Sequence, residues 1–155
     1  AGESLDPEVQ AMLDSIPPAL VGPVVEAIAA HELGHCWRHL RRSWGTLPVD
    51  MRATPVGSRL TAEEIAMLDE MWRTRREEAF ADLVGLAWTR RHHPGRYAEV
   101  HAWLVRQRAE QAVDTGPHDT RLWVGLAGDP EGFRPAASIF EQVEPLWRAG
   151  LLAED

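Results

Sequence analysis

The stretch PVVEAIAAHELGHCWRHLRR, residues Pro23 to Arg42, decides the fold that we expect. Its first half is apolar and compatible with a helix, and Pro23 suits a first helical turn, where its missing N–H is not needed. Its second half is basic, and cations near a helix C-terminus interact favourably with the helix dipole. We therefore predict one helix from Pro23 to Arg42, with HELGH (residues 31–35) near its middle.

The two histidines of HELGH are four residues apart, so on a helix His31 and His35 lie on one face, one turn apart. Two imidazoles placed in this way can bind one zinc ion. Glu32 would then lie near the open side of the ion, where a carboxylate can take a proton from water. A surface helix with two chance histidines is the alternative. The apolar surroundings argue against it, because a histidine in an apolar helix needs a polar partner.

A catalytic zinc site also needs a third protein ligand, and Glu78 is our candidate. It begins the sequence EAFAD (residues 78–82), in a segment of strongly helical composition. Glu78 and Asp82 are four residues apart and project from one face. Carboxylates next to the apolar Phe80 are expensive to bury without compensation, which zinc and a zinc-bound histidine would provide. We expect Glu78 to bind the ion and Asp82 to accept the free ring N–H of a histidine.

Other ligand sets suit the pattern less well. Glu77 has no carboxylate four residues later and lies about 100° around the helix from Glu78. His39 is one further turn along, and its distance from His31, about 12 Å along the axis, prevents all three histidines from meeting at one ion. Metzincins have a third histidine six residues after the second, and this position is Arg41, which cannot bind zinc.

Together, HExxH and a following helix with ExxxD resemble the gluzincin pattern of zinc metallopeptidases. The form EAFAD is similar to compact bacterial and phage members, such as the ImmA/IrrE-like peptidases. The resemblance implies that His31, His35 and Glu78 bind Zn²⁺. It also implies that Glu32 is the general base and that Asp82 orients His31. The expected substrate is a protein or peptide.

The chain departs from the zincin pattern before the motif. Zincins place a β-sheet there, whereas only 30 residues precede His31 and residues 5–16 are predicted to be helical. A reduced sheet would have to come from residues 46–60. We therefore predict a mainly α, compact zincin-like domain over residues 1–155, with at most a small β-hairpin or reduced sheet.

One later turn is a second source of catalytic groups. Gly116 to Arg121 presents His118 beside a carboxylate, and zincins often use a Tyr or His donor to stabilise the oxyanion. We assign this role to His118. Tyr97, the only tyrosine, is the competing donor.

The remaining helices follow from spacing and caps. Thr61 to Glu64 is a capping box that opens a helix running to about His92, with a break or kink expected near residues 73–76. Three further helices are predicted: residues 96–111 with Tyr97, Val100, Leu104 and Val105 inward, a helix capped by Asp119 or Thr120, and residues 136–149.

Composition limits the remaining possibilities. The net charge of -8 argues against nucleic-acid binding, and we interpret Arg73, Arg75, Arg76, Arg90 and Arg91 as solvated. The single cysteine, Cys36, excludes an internal disulfide and is expected to be a buried apolar residue. We find no transmembrane or signal segment, and we expect a cytoplasmic location without membrane binding. The oligomeric state stays open.

Two functional hypotheses compete with a peptidase. The first is a regulatory or protein-binding module that keeps zinc as a structural centre or sensor and has lost cleavage. The second is a helical interaction domain without metal. Measuring the metal content distinguishes the metal-free interaction domain from the two zinc-containing alternatives. Cleavage of a partner protein then distinguishes a peptidase from a regulatory or protein-binding module.

Overall fold

The chain is helical throughout the part that the computed structural model describes, which is residues 6–48, 60–111 and 116–154. These ranges contain no β-strand and form the helices α1 (Pro7–Asp14), α2 (Val21–Leu40), α3 (Ala62–His92), α4 (Tyr97–Gln111), α5 (Arg121–Leu126) and α6 (Ile139–Glu154). The mainly α prediction is confirmed. Most of the segment predicted to supply a hairpin or reduced sheet, residues 46–60, lies outside the described residues.

Helices α2 and α3 pack along each other and form the centre of the fold. Two glycines let their backbones approach closely. A Cβ atom at Gly34 would lie 3.1 Å from the Cα of Ala81, and one at Gly85 would lie 2.8 Å from the carbonyl oxygen of Ala27. This close packing brings HELGH on α2 next to EAFAD on α3.

The start of α3 is as predicted, and of the break or kink expected near residues 73–76 the break is absent. The backbone N–H of Glu64 donates to Thr61 Oγ1 over 3.2 Å, and Thr61 N–H donates to Glu64 Oε2 over 2.7 Å, which completes the capping box. The helix then continues without interruption to His92. Arg75 and Arg76 do not disturb it, because both side chains are only 11% exposed and pair with a carboxylate of α6. The prediction that these two arginines are solvated is therefore also wrong.

The core has a large and a small part. The large part lies between α3, α5 and α6, where the rings of Phe80 and Trp147 meet edge to face with centroids 5.8 Å apart. Trp123 donates from Nε1 to the Trp147 carbonyl over 2.9 Å, so its buried N–H is satisfied. The small part lies between α1, α2 and α4 and includes Leu20, Val24, Val100 and Trp103.

Two predicted core residues lie on the surface instead. Cys36 is exposed, because α2 buries one face only and Cys36 is about 200° around the helix from the buried Gly34. Val105 is also exposed. Trp103 and Gln107 take the inward positions on α4, and both donate to Ser15 Oγ, over 3.2 and 3.1 Å.

No helix among the described residues is long and apolar enough to cross a membrane.

Candidate metal centre

Three side chains from α2 and α3 converge at one point. The Nε2 atoms of His31 and His35 are 3.0 Å apart, and the Glu78 carboxylate lies 3.7 Å from the first and 3.3 Å from the second. Ligand atoms 2.0–2.1 Å from a tetrahedral zinc ion would be about 3.3 Å apart. The set therefore fits zinc in donor chemistry, and one ligand atom from each of the three residues lies within 4.8 Å of the other two. Within the described ranges it is the one group of His, Cys, Asp or Glu side chains that could hold a metal ion.

The electrostatics of this cluster favour a charged Glu78. Partial burial acts to raise the pKa of Glu78, but the hydrogen bond from His35 and the charges of His31, His35 and Arg108 lower it overall. Burial also acts to lower the pKa of His35, and the Glu78 carboxylate outweighs this and raises it. In the metal-free protein, the Glu78 carboxylate and the His35 imidazole therefore stabilise each other's charged forms. Zinc would replace the protons that this pairing attracts.

Asp82 lies behind His31 and is almost completely buried. Its Oδ1 is 3.0 Å from His31 Nδ1, so the ring N–H faces the carboxylate and Nε2 is left for the cluster. Arg108 donates to the same carboxylate from Nε and Nη2 over 2.8 and 2.6 Å, and the Thr120 hydroxyl donates over 2.6 Å. Burial acts to raise the pKa of Asp82, but Arg108 and His31 hold it well below its usual range.

Arg108 and Thr120 are the site residues that sequence reasoning missed. Arg108 comes from α4, and Thr120 immediately precedes α5. Thr120 was expected only as a helix cap, yet α5 has no side-chain cap hydrogen bond because the hydroxyl is directed to Asp82. A buried Asp82 carboxylate with a single histidine partner needs further hydrogen-bond donors. That need was the one feature of the sequence that could have indicated residues such as Arg108 and Thr120.

Glu77 belongs to a different part of the structure. It is 1% exposed and accepts from Arg38 Nε over 2.9 Å and from Arg38 Nη2 over 2.6 Å. It also accepts from the backbone N–H of Gly45 over 2.9 Å. Glu77 is thus the partner of a buried arginine, and Glu78 is the carboxylate that faces the histidines.

His118 lies at the edge of the cluster. Its Nδ1 is 3.4 Å from Glu78 Oε2, and its side chain is 55% exposed. Arg75 holds this turn by donating from Nε to the Gly116 carbonyl over 3.2 Å. The competing donor, Tyr97, is buried and donates its hydroxyl to the Ala127 carbonyl over 2.6 Å. Of these two candidates, only His118 has an exposed side chain.

The cluster opens into a cleft of about 1070 Å³ between α1, α2, α3 and α4. The exposed Glu32 lines this cleft together with the three candidate ligands and His118. Apolar side chains line it as well, among them Met12, Ile28, Leu86, Val100, Trp103 and Leu104. The exposed His39 is not among the lining residues.

We compared the chain with models of known protein families, with curated proteins and with solved structures, and found no significant match. The gluzincin resemblance therefore rests on the two motifs and stays a prediction.

Proposed function

We propose that this protein is a zinc-dependent metallopeptidase of the gluzincin type. One observation carries the proposal: two histidines and a glutamate present three ligand atoms, all within 4.8 Å of one another, at the wall of an open cleft. His31, His35 and Glu78 would hold the ion. When bound, zinc supplies Lewis acidity, which lowers the pKa of water and polarises the scissile carbonyl.

Glu32 is the general base in this proposal. It follows His31 directly, lines the cleft and is exposed, so its carboxylate is available to water and to a substrate. It accepts the proton of the attacking water and returns it to the leaving amine.

Two further groups complete the chemistry. His118 faces the cleft at its rim and can donate a ring N–H to the carbonyl oxygen of the substrate as negative charge develops there. Asp82 acts through His31, by holding the imidazole in the tautomer that leaves Nε2 unprotonated. Arg108 keeps Asp82 ionised and in place.

The test compares the wild type with Glu32→Gln, which keeps the shape of the side chain and removes the base. Purified wild type should contain stoichiometric zinc, and the variant should retain it. Cell proteins incubated with each enzyme are then searched for new N-termini. We expect the variant to produce the wild-type fragments at least about 10²–10⁴-fold more slowly.

Glu144→Gln serves as the control, since Glu144 is an exposed glutamate on α6, outside the cleft. Equal cleavage by the wild type and Glu32→Gln would exclude Glu32 as the base. Full zinc binding without any cleavage would favour the regulatory or binding module instead. Failure to bind zinc at all would exclude both.

A further inference from the structure

Trp44 occupies an unusual position for a large aromatic residue. It follows α2, and its side chain is 44% exposed. Its indole lies beside a candidate ligand, with ring centroids 5.4 Å from His35. It lines the same cleft as the metal cluster and Glu32. A half-exposed tryptophan in the wall of a cleft presents an apolar surface to a molecule that binds in the cleft.

The backbone around Trp44 is held in place by a tight turn at the end of α2. Arg42 has a φ of 54°, in the left-handed region, and Ser43 N–H donates back to the Arg38 carbonyl over 3.0 Å. Arg42 N–H donates to the His39 carbonyl over 2.9 Å. These two bonds form a Schellman motif, which turns the chain sharply back after the helix.

The buried pair of Arg38 and Glu77 holds the same loop from beneath. Glu77 Oε1 accepts from Gly45 N–H over 2.9 Å, and Arg38 Nη2 donates to the Thr46 carbonyl over 3.2 Å. The two residues that follow Trp44 are therefore bonded to one ion pair, and Ser43, which precedes it, is bonded to the Arg38 backbone carbonyl. Arg38 is itself packed against aromatic rings, with its guanidinium carbon 4.5 Å from the ring centroid of Trp147.

Position along the chain links this loop to the metal cluster. Arg38 lies one turn after His35, and Glu77 directly precedes Glu78. The pair that fixes the loop thus comes from the same two helical segments as the ligands. Burying the Arg38–Glu77 ion pair costs desolvation free energy. The pair also makes hydrogen bonds to Gly45 and Thr46, in the loop that carries Trp44.

We infer that Trp44 is a binding platform for an aromatic side chain of the peptide substrate, and that the Arg38–Glu77 pair is its positioning device. This inference rests on the proposed function. An aromatic side chain can stack on the indole or meet it edge to face. Apolar side chains line the same cleft, among them Leu86, Trp103 and Leu104, which favours an apolar side chain of the substrate over a charged one. Tryptophan is also among the residues that contribute most when a partner binds.

The test measures binding without catalysis. The probes are the hydroxamates of N-acetyl-phenylalanine and N-acetyl-glycine, titrated by calorimetry into the zinc-loaded protein. We expect the phenylalanine probe to bind roughly tenfold more tightly. Trp44→Ala should abolish this ratio, Trp44→Phe should retain part of it, and Trp72→Ala, at a tryptophan outside the cleft, should leave it unchanged.

The positioning role has its own variant, because removing Glu77 would also leave a buried arginine without its partner. Gly45 has a φ of 66°, and a Cβ there would lie 3.3 Å from Arg73 Cδ, so Gly45→Ala strains the loop while the ion pair stays intact. We expect this variant to bind zinc normally and to lose most of the preference for the phenylalanine probe. An unchanged preference would exclude the positioning role.

A direct readout on Trp44 comes from fluorine NMR of protein labelled with 5-fluorotryptophan. The resonance that disappears in Trp44→Phe identifies the residue, and it should shift on addition of the phenylalanine probe more than the Trp72 resonance. Equal affinity of the two probes, or a ratio that survives in Trp44→Ala, would overturn the platform. Absence of binding by either probe to zinc-loaded protein would instead overturn the proposed function, and the platform with it.

Discussion

Arg108 and Asp82 form a two-point contact between α4 and α3, with hydrogen bonds of 2.8 and 2.6 Å to the two carboxylate oxygens. The Asp82 carboxylate also faces the His31 Nδ1 atom, and Arg108 Nη2 lies 3.8 Å from Glu78 Oε2 in the cluster. A helix outside both sequence motifs thus determines how one candidate ligand is oriented. Four predictions follow from this arrangement and from its neighbours.

Removing Arg108 should weaken zinc binding although Arg108 is not a ligand. Arg108→Gln takes away the charge that keeps Asp82 ionised, so His31 loses a firmly held partner. We expect zinc affinity to fall about 10–100-fold, as is usual when a group supporting a ligand is lost. Competition with a chelator of known affinity measures this. Arg108→Lys keeps the charge and should retain more of the affinity, and unchanged affinity in Arg108→Gln would contradict the proposed role.

Glu78 and Glu77 should respond to alanine in opposite ways. Glu78→Ala removes a candidate ligand from a half-buried position, so we expect near-complete loss of zinc from a protein that still folds. Glu77→Ala should keep the zinc but lose about 3–5 kcal/mol of stability, because it leaves the buried Arg38 without its partner. Metal analysis and urea unfolding of both variants measure the two effects. Loss of zinc in the Glu77 variant under folding conditions would show that the wrong carboxylate was chosen.

The metal-free protein should become less stable in acid through Asp82. The pKa of Asp82 is lowered on folding from its ordinary value of 3.8, so ionised Asp82 stabilises the fold. Its contribution is complete above that ordinary value and is lost as the pH falls toward the lowered pKa of the folded state. Urea unfolding at a series of pH values should show stability falling below about pH 4. In Asp82→Asn this dependence should be weaker, and an equal slope in both proteins would exclude Asp82 as its source.

The helix crossing should not tolerate a methyl group at Gly34. In Gly34→Ala the new Cβ would lie 3.1 Å from the Ala81 backbone, so we expect a loss of about 1–3 kcal/mol and weaker zinc binding. Gly22→Ala is the matched control on the same helix, because nothing lies within 4 Å of its Cβ. Alanine is the better helix former, so the control should be unchanged or more stable by up to about 1 kcal/mol. Equal changes in stability and zinc affinity in Gly34→Ala and Gly22→Ala would mean that the close packing of α2 on α3 at Gly34 is not needed for zinc binding.

The parts of the fold that depend on local pattern could be predicted from the sequence. The spacing of His31 and His35, and of Glu78 and Asp82, predicts which side chains share a helix face, and the structure brings these four together. The capping box at Thr61 was likewise readable, because it involves residues three apart.

The parts that depend on packing between distant segments could not be predicted. Arg108 is 26 residues from Asp82, and nothing near it in the sequence indicates a buried partner. The same holds for Arg76, which was expected in solvent and pairs with Glu154 over 2.8 Å. Cys36 was expected to be buried because cysteine is usually a small apolar residue of the core, but it is exposed on α2, away from the face that this helix buries. Charge and hydropathy do not indicate which helix will cover a given face.

The close contact between Gly34 and Ala81 also bears on which ions the site can select. Because the two helix backbones already touch there, they cannot move together to tighten the site, and moving apart would open the core. The packing of the two helices, rather than the ion, therefore sets the distances between the candidate ligand atoms. An ion of similar radius and preferred geometry, such as Co²⁺, fits the same gap, whereas Ca²⁺ requires roughly 6–8 oxygen ligands at longer distances. In the proposed zinc site, a preference for a larger ion such as Ca²⁺ would thus require additional oxygen ligands.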